Sequence, residues 1–162
     1  MDARWTQKNE QRHYGDKNHV KGDSRSKLIE GFTVTHAAVH DRQALDRLIQ
    51  EGDPVTYGDS AYPGRTGEAV LARWGVVANP IERADRNRPL NDRQRRSNRA
   101  RSRIRGRGEH VFATMKMSRR VTWNRCLGRV RNRAPIGRLN LVDNLVRYEQ
   151  IERLGRRRWR PA

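Results

Sequence analysis

Cysteine is close to absent from this 162-residue sequence: Cys126 stands alone, so no internal disulfide can form and the chain suits a reducing compartment. A lone thiol beside Arg125 reads as inert rather than catalytic. Leu, Ile, Val and Phe are also scarce, 30 of 162 residues. That falls just under the level of roughly 20% below which a highly charged chain has too little apolar surface to fold fully by itself. The expected core is therefore modest, with basic segments that order fully only against a partner. No run approaches the roughly 18 consecutive apolar residues of a membrane-spanning helix, so no membrane partner is expected. Met1-Asp2-Ala3-Arg4 carries no apolar leader, and the expected location is cytoplasmic. Acid is scarce relative to base: 18 Asp and Glu stand against 36 Lys and Arg, a net charge of +18. Solubility needs no such imbalance, whereas binding a polyanion such as nucleic acid does.

Residues 1–13 are polar and expected to be a loose segment. Tyr14 to Val20 and Ile29 to Thr35 read as two strands around a turn at Gly22-Asp23-Ser24, with Phe32 and Val34 on one period-2 face. From Asp41 the period becomes helical, with Ala44, Leu45, Leu48 and Ile49 on one stripe and Gly52 at the stop. Pro54 to Gly58 reads as a strand, Thr66 to Trp74 as a short helix closed by Gly75, and Gly75 to Pro80 as a further strand. The expected order is β-β-α-β-α-β, an α/β layer fold.

Composition changes at Glu82. Between Arg83 and Arg133 there are 18 Lys and Arg against Asp85, Asp92 and Glu109, a surplus of 15 positive charges. Asn91 followed three residues later by Gln94 is a capping box opening a helix expected to reach about Lys116 or Met117. Gly106 and Gly108 weaken it by up to about 1 kcal/mol each. A last helix is expected after Pro135, with Leu141, Leu145, Tyr148 and Glu152 on one side and Leu139, Val142 and Val146 beside them. Arg156 to Arg160 reads as a basic tail.

Three groups of residues bear on chemistry. Ser102, Arg105, Glu109, Phe112 and Lys116 fall within roughly 80° of helical arc, placing one carboxylate between two cations. The plainer reading of Arg105 and Glu109 is an i,i+4 ion pair. Asp59 comes at the end of a strand, where ligands of α/β sheets bind, although an Asp in a Gly-Asp-Ser turn also caps the next segment. An Asp from a strand end and a Glu from a later helix are oxygen ligands of the kind Mg²⁺ uses in two-metal phosphoryl transfer, and several aspartates could supply a third ligand. The run 93–107 holds eight Arg and no acid, which would repel one another without an anionic partner. His36 and His40 lack the further ligands of a zinc site. Trp123 and Trp159 lack the regular interleaving of a base-stacking platform.

Five ordered motifs carry a resemblance: Tyr14 to Val20, Val34 to Asp41, Asp59 to Tyr62, Asn87 to Leu90, and Arg105 to Phe112. Together they resemble the C-terminal part of DDE-type bacterial insertion-sequence transposases, in the group named for insertion sequence 5. The resemblance implies an RNase H-like fold whose Asp, Asp and Glu hold two divalent ions, Mg²⁺ or Mn²⁺, for DNA end cleavage and strand transfer. Asp59 matches the second Asp and Glu109 the Glu. The family's spaced Tyr, Arg, Glu and Lys are met at Arg105, Glu109 and Lys116, with Ser102 in place of Tyr. Arg105, Lys116, Arg93, Arg96, Arg99, Arg101 and Arg103 are the expected contacts to DNA, both element ends and target.

In that family the first Asp lies upstream of the Tyr-Gly motif, and Asp2, Asp16 and Asp23 are not in the matching place. The expectation is a truncated RNase H-like mixed sheet with flanking helices, lacking the first strand, and a basic C-terminal helical region. Its parts are a loose 1–13, a partial catalytic domain over 14–118, a helical extension over 119–155 and a tail over 156–162. Such a fragment is expected to be nucleoid-associated and inactive alone, with an incomplete metal site, and to act as a homodimer or with a complementing transposase chain. A non-catalytic basic nucleic-acid-binding protein is the alternative.

Overall fold

The protein is described from a computed structural model over residues 3–8, 10–57, 65–79, 81–82, 84, 89–119, 126 and 128–154. Strand β1 (Arg4–Lys8) pairs antiparallel with β2 (Gln11–Gly22), which pairs antiparallel with β3 (Ile29–His36). Residues 4–8 are thus a strand, where the sequence pattern predicts a loose segment. Trp5 sits opposite Tyr14 with ring centroids 5.2 Å apart, a cross-strand contact that ties the polar strand down. Between β2 and β3 the Asp23 carboxylate accepts from the backbone N–H of Arg25 and from the Ser26 hydroxyl at 2.7 Å, closing the turn at the Asp23 the sequence marks.

Period-2 alternation gives β2 two different faces. Lys17, His19 and Lys21 face helix α1 (Asp41–Leu48) and the loop after it, where Lys17 pairs with Asp41 and Lys21 with Asp53 at 2.6 Å. Helix α1 opens on His40, whose ring accepts from the N–H of Arg42. It buries Ala44 and Leu45, as the stripe predicts, and the chain turns at Gly52 with φ near +90°. Next come β4 (Val55–Thr56), α2 (Arg65–Arg73) and β5 (Val77–Ala78), with β4 and β5 parallel. Gly75 at φ +65° ends α2, and the N–H of Val76 donates back to Leu71 O at 2.9 Å. Leu45, Ile49, Leu71 and Val76 form one small core between α1 and α2.

The expected single mixed sheet is instead two sheets among the described residues, three antiparallel strands and two parallel ones. The α/β character stands, and the arrangement is compatible with an RNase H-like domain.

Helix α3 (Asp92–Arg119) begins at the expected capping box: Gln94 N–H donates to Asn91 Oδ1 at 2.8 Å, and Asn91 N–H to Gln94 Oε1 at 2.9 Å. It runs through Gly106 and Gly108 and buries Val111 against Ile29, with Val20 and Leu139 alongside. Helix α4 (Arg129–Arg153) starts before Pro135 rather than after it. Pro135 removes one helical N–H, and docking on the sheet outweighs that loss. Asn132 donates to Asp16 at 2.6 Å, Asn18 to Asn140 at 2.9 Å, and Arg147 to Ser26 O at 2.7 Å. The Asn144 amide both accepts from Ile29 N–H and donates to Ile29 O, as a neighbouring strand would. Gly137 permits the close approach, because a Cβ there would lie 2.9 Å from the Phe32 ring. The α4 side facing the sheet therefore combines these polar groups with Leu139, and Leu141, Leu145 and Tyr148 point to solvent.

Candidate nucleic-acid interface

Helix α3 sorts its arginines by face. At 100° per residue, Arg93, Arg96, Arg99 and Arg103 share an outer arc, and all four are exposed. Arg101 is turned inward: its side chain is 23% exposed and Nη1 lies 3.2 Å from Glu82 Oε1. Glu82 also accepts from Gln94 Nε2 at 2.7 Å through its carboxylate, and its backbone exchanges two hydrogen bonds with the Asn98 amide. The composition break at Glu82 is thus where an acid clamps the first half of α3. Sequence reasoning does not find this contact, because its only local signal is an acid at the border of a basic run. Glu82, Asn91, Arg93, Gln94, Ser97 and Arg101 line a recess of about 360 Å³ at this end of the helix.

Arg105 and Glu109 form the i,i+4 pair, with Nη2 3.1 Å from Oε1. The Glu109 side chain is 66% exposed, so the pair is worth roughly a few tenths of a kcal/mol. The plainer reading of these two residues is therefore realised, and Glu109 remains open to solvent on its other side. Phe112 is exposed beside it, while Ser102 faces solvent one turn earlier than Arg105. The side chain of Lys116 and the whole of Asp59 to Tyr62 lie outside the described residues, as do Asn87 and Arg88. Of the two expected metal carboxylates, the described residues contain Glu109 alone. Among them no three His, Cys, Asp or Glu side chains group as a metal centre does. The described part of the site thus does not by itself fit a divalent ion.

Positive charge also gathers where α3, α4 and the β2–β3 turn meet. Arg107 donates to Ser24 O at 2.8 Å and Arg147 to Ser26 O, both within electrostatic reach of Lys27. Burial, and then the Arg147 and Arg107 charges, push the Lys27 amine below its usual pKa. The Asp23 carboxyl is held below the usual range although burial acts to raise it, because the Ser26 hydroxyl and N–H and the Arg25 N–H bond its charged form. The His19 imidazole is lowered mainly by burial, which outweighs the pull of Asp41 in the other direction. His36 ends β3, and the His40 ring caps α1 by accepting from the N–H of Arg42.

Among the described residues no helix is long and apolar enough to cross a membrane. No solved structure matches the chain. A family model described as a transposase DDE domain matches residues 1–145.

Proposed function

The chain belongs to the transposase DDE domain family, and on that premise we propose that it is a DNA-binding transposase chain of an insertion element. Transposases act on DNA, and the family generally uses a divalent metal. The observation that carries DNA binding is the outer row of α3, where Arg93, Arg96, Arg99 and Arg103 are exposed and the next acid after Asp92 is Glu109. Guanidinium groups in a row on a rigid helix meet successive phosphates without the ordering cost of a flexible tail. Arg101 and Arg105 act one step removed, by setting Glu82 and Glu109 against the helix.

Asp59 and Glu109 are, in this reading, the carboxylates that bind Mg²⁺ or Mn²⁺, weakly in this chain. In-line phosphoryl transfer needs two ions about 3.5–4 Å apart, a spacing that bridging carboxylates maintain. One exposed carboxylate already bonded to Arg105 is a poor start for that geometry. The chain alone is accordingly inactive in DNA end cleavage and strand transfer, and a complementing transposase chain completes the site. The five motifs support an element of the insertion sequence 5 group.

The test is a titration of duplex DNA with the full chain across salt concentrations, run with a strand-cleavage assay in Mg²⁺ and Mn²⁺. The expected result is binding that collapses from low to physiological salt, with no cleaved product. Salt-insensitive binding would overturn the DNA reading. Cleavage by the chain alone that survives Glu109→Gln would overturn the site assignment. The non-catalytic alternative differs in one respect: its DNA binding does not respond to divalent ions in a Glu109-dependent way.

A further inference from the structure

The turn between β2 and β3 collects cations that no acid neutralises. Lys27 lies there at φ +62° with its N–H bonded to Asp23 O at 3.0 Å, so the turn fixes where this half-buried side chain leaves the backbone. Arg107 reaches the turn from α3 through its bond to Ser24 O, and Arg147 reaches it from α4 through its bond to Ser26 O. Lys17 is paired with Asp41, and Lys21 with Asp53 and Glu30, whereas among the described residues no carboxylate pairs with Lys27, Arg107 or Arg147. The turn's own acid, Asp23, is spent on the Arg25 and Ser26 N–H groups and the Ser26 hydroxyl.

Two properties meet at this point. Arg107 uses one N–H on Ser24, and Arg147 uses two, on Ser26 and the Gln150 side chain, which leaves each guanidinium further donors for a ligand. Such donors suit a phosphate dianion. Burial and the two guanidinium charges hold the Lys27 amine below its usual pKa, which raises its uncharged, nucleophilic share. An acyl phosphate offers a phosphate and an electrophilic carbon in one small molecule.

We propose that Lys27 is an acylation site whose donor is an acyl phosphate, held by its phosphate on Arg107 and Arg147. The Lys27 nitrogen bonds to the acyl carbon as the C–O bond to phosphate breaks. Inorganic phosphate leaves with that electron pair, and the surplus proton on nitrogen passes to water. The guanidinium groups that bind the phosphate also stabilise it as it leaves. A neutral amide then replaces the ammonium, removing the charge that Arg107 and Arg147 crowd. The site is independent of the DNA reading.

Incubating the nuclease-treated full chain with acetyl phosphate, with acetylation read lysine by lysine by mass spectrometry, tests this. Lys27 should be acetylated about tenfold faster than Lys17 and Lys21. Its rate should saturate with acetyl phosphate and fall when inorganic phosphate replaces chloride at constant ionic strength. The preference should vanish in urea and shrink with acetic anhydride, which carries no phosphate. Arg107→Gln, on an exposed position, should slow Lys27 severalfold with the helical circular-dichroism signal unchanged. A Lys27 rate no greater than that of the two paired lysines would overturn the proposal. So would a rate linear in acetyl phosphate and indifferent to inorganic phosphate, or a preference just as large with acetic anhydride.

Discussion

Replacing Arg96, Arg99 and Arg103 together by alanine removes three exposed guanidinium groups from one side of α3 while leaving the helix's capping and packing in place. The three span two turns, about 10 Å of helix axis. Alanine is the best helix former, so the backbone is not weakened. Each phosphate contact contributes about 0.9 to the slope of log K against log salt, so loss of three lowers the slope by about 2.7. Between about 50 and about 200 mM salt, log salt changes by about 0.6, and the variant's affinity should fall roughly 40-fold less than the wild type's. Fluorescence anisotropy of a labelled duplex at several salt concentrations reads both slopes directly. Arg101→Ala is the control, because Arg101 is bonded to Glu82 and its loss should lower the melting temperature while changing the slope less. Equal slopes for the triple variant and the wild type would refute the assignment of the outer row, whatever the change in affinity at one salt.

Two further outcomes rest on local geometry. Asn91→Ala removes the acceptor of the Gln94 N–H and should cost about 1 kcal/mol of stability, read in a denaturant titration. An unchanged midpoint would mean that the first turn of α3 is held by Glu82 and Asn98 alone. His19, buried and bonded to Thr35 at 2.8 Å, has its folded pKa lowered below 6.5. The unfolded chain therefore binds this proton more readily, so stability is complete above about pH 6.5 and declines as pH falls toward the folded pKa. In His19→Gln that part of the decline should disappear from pH-dependent melting; a decline of the same size would place its origin elsewhere.

Most helix boundaries are legible locally. The capping box at Asn91 and Gln94, the stripe in α1 and the glycine at 75 act within a few residues and stand where the pattern predicts, whereas α1 ends at Leu48 with Ile49 as its C-cap, ahead of the expected stop at Gly52. What is not legible depends on partners far along the chain. Pro135 reads as a start signal, yet Asn132 is anchored to Asp16 and Asn140 to Asn18, contacts that outweigh a proline in the second turn. The same contacts turn the Leu141 side of α4 outward, against the usual sense of amphipathicity. Strand β1 escapes because its residues are polar and its ring contact, Trp5 on Tyr14, crosses the hairpin. On α3 the basic run is charged nearly all round in sequence. Only the position of Glu82 separates the inward Arg101 from the outward Arg96, Arg99 and Arg103. Glu109 is found by its isolation among arginines, and its bond to Arg105 is the one that i,i+4 spacing favours.

Arginine modification by phenylglyoxal, read residue by residue by mass spectrometry with and without duplex DNA, tests most directly where the nucleic acid lies. DNA on the outer face of α3 should protect Arg93, Arg96, Arg99 and Arg103 and leave Arg138 on α4 as reactive as in the free chain. Undiminished reactivity of the α3 row at saturating DNA would contradict the account.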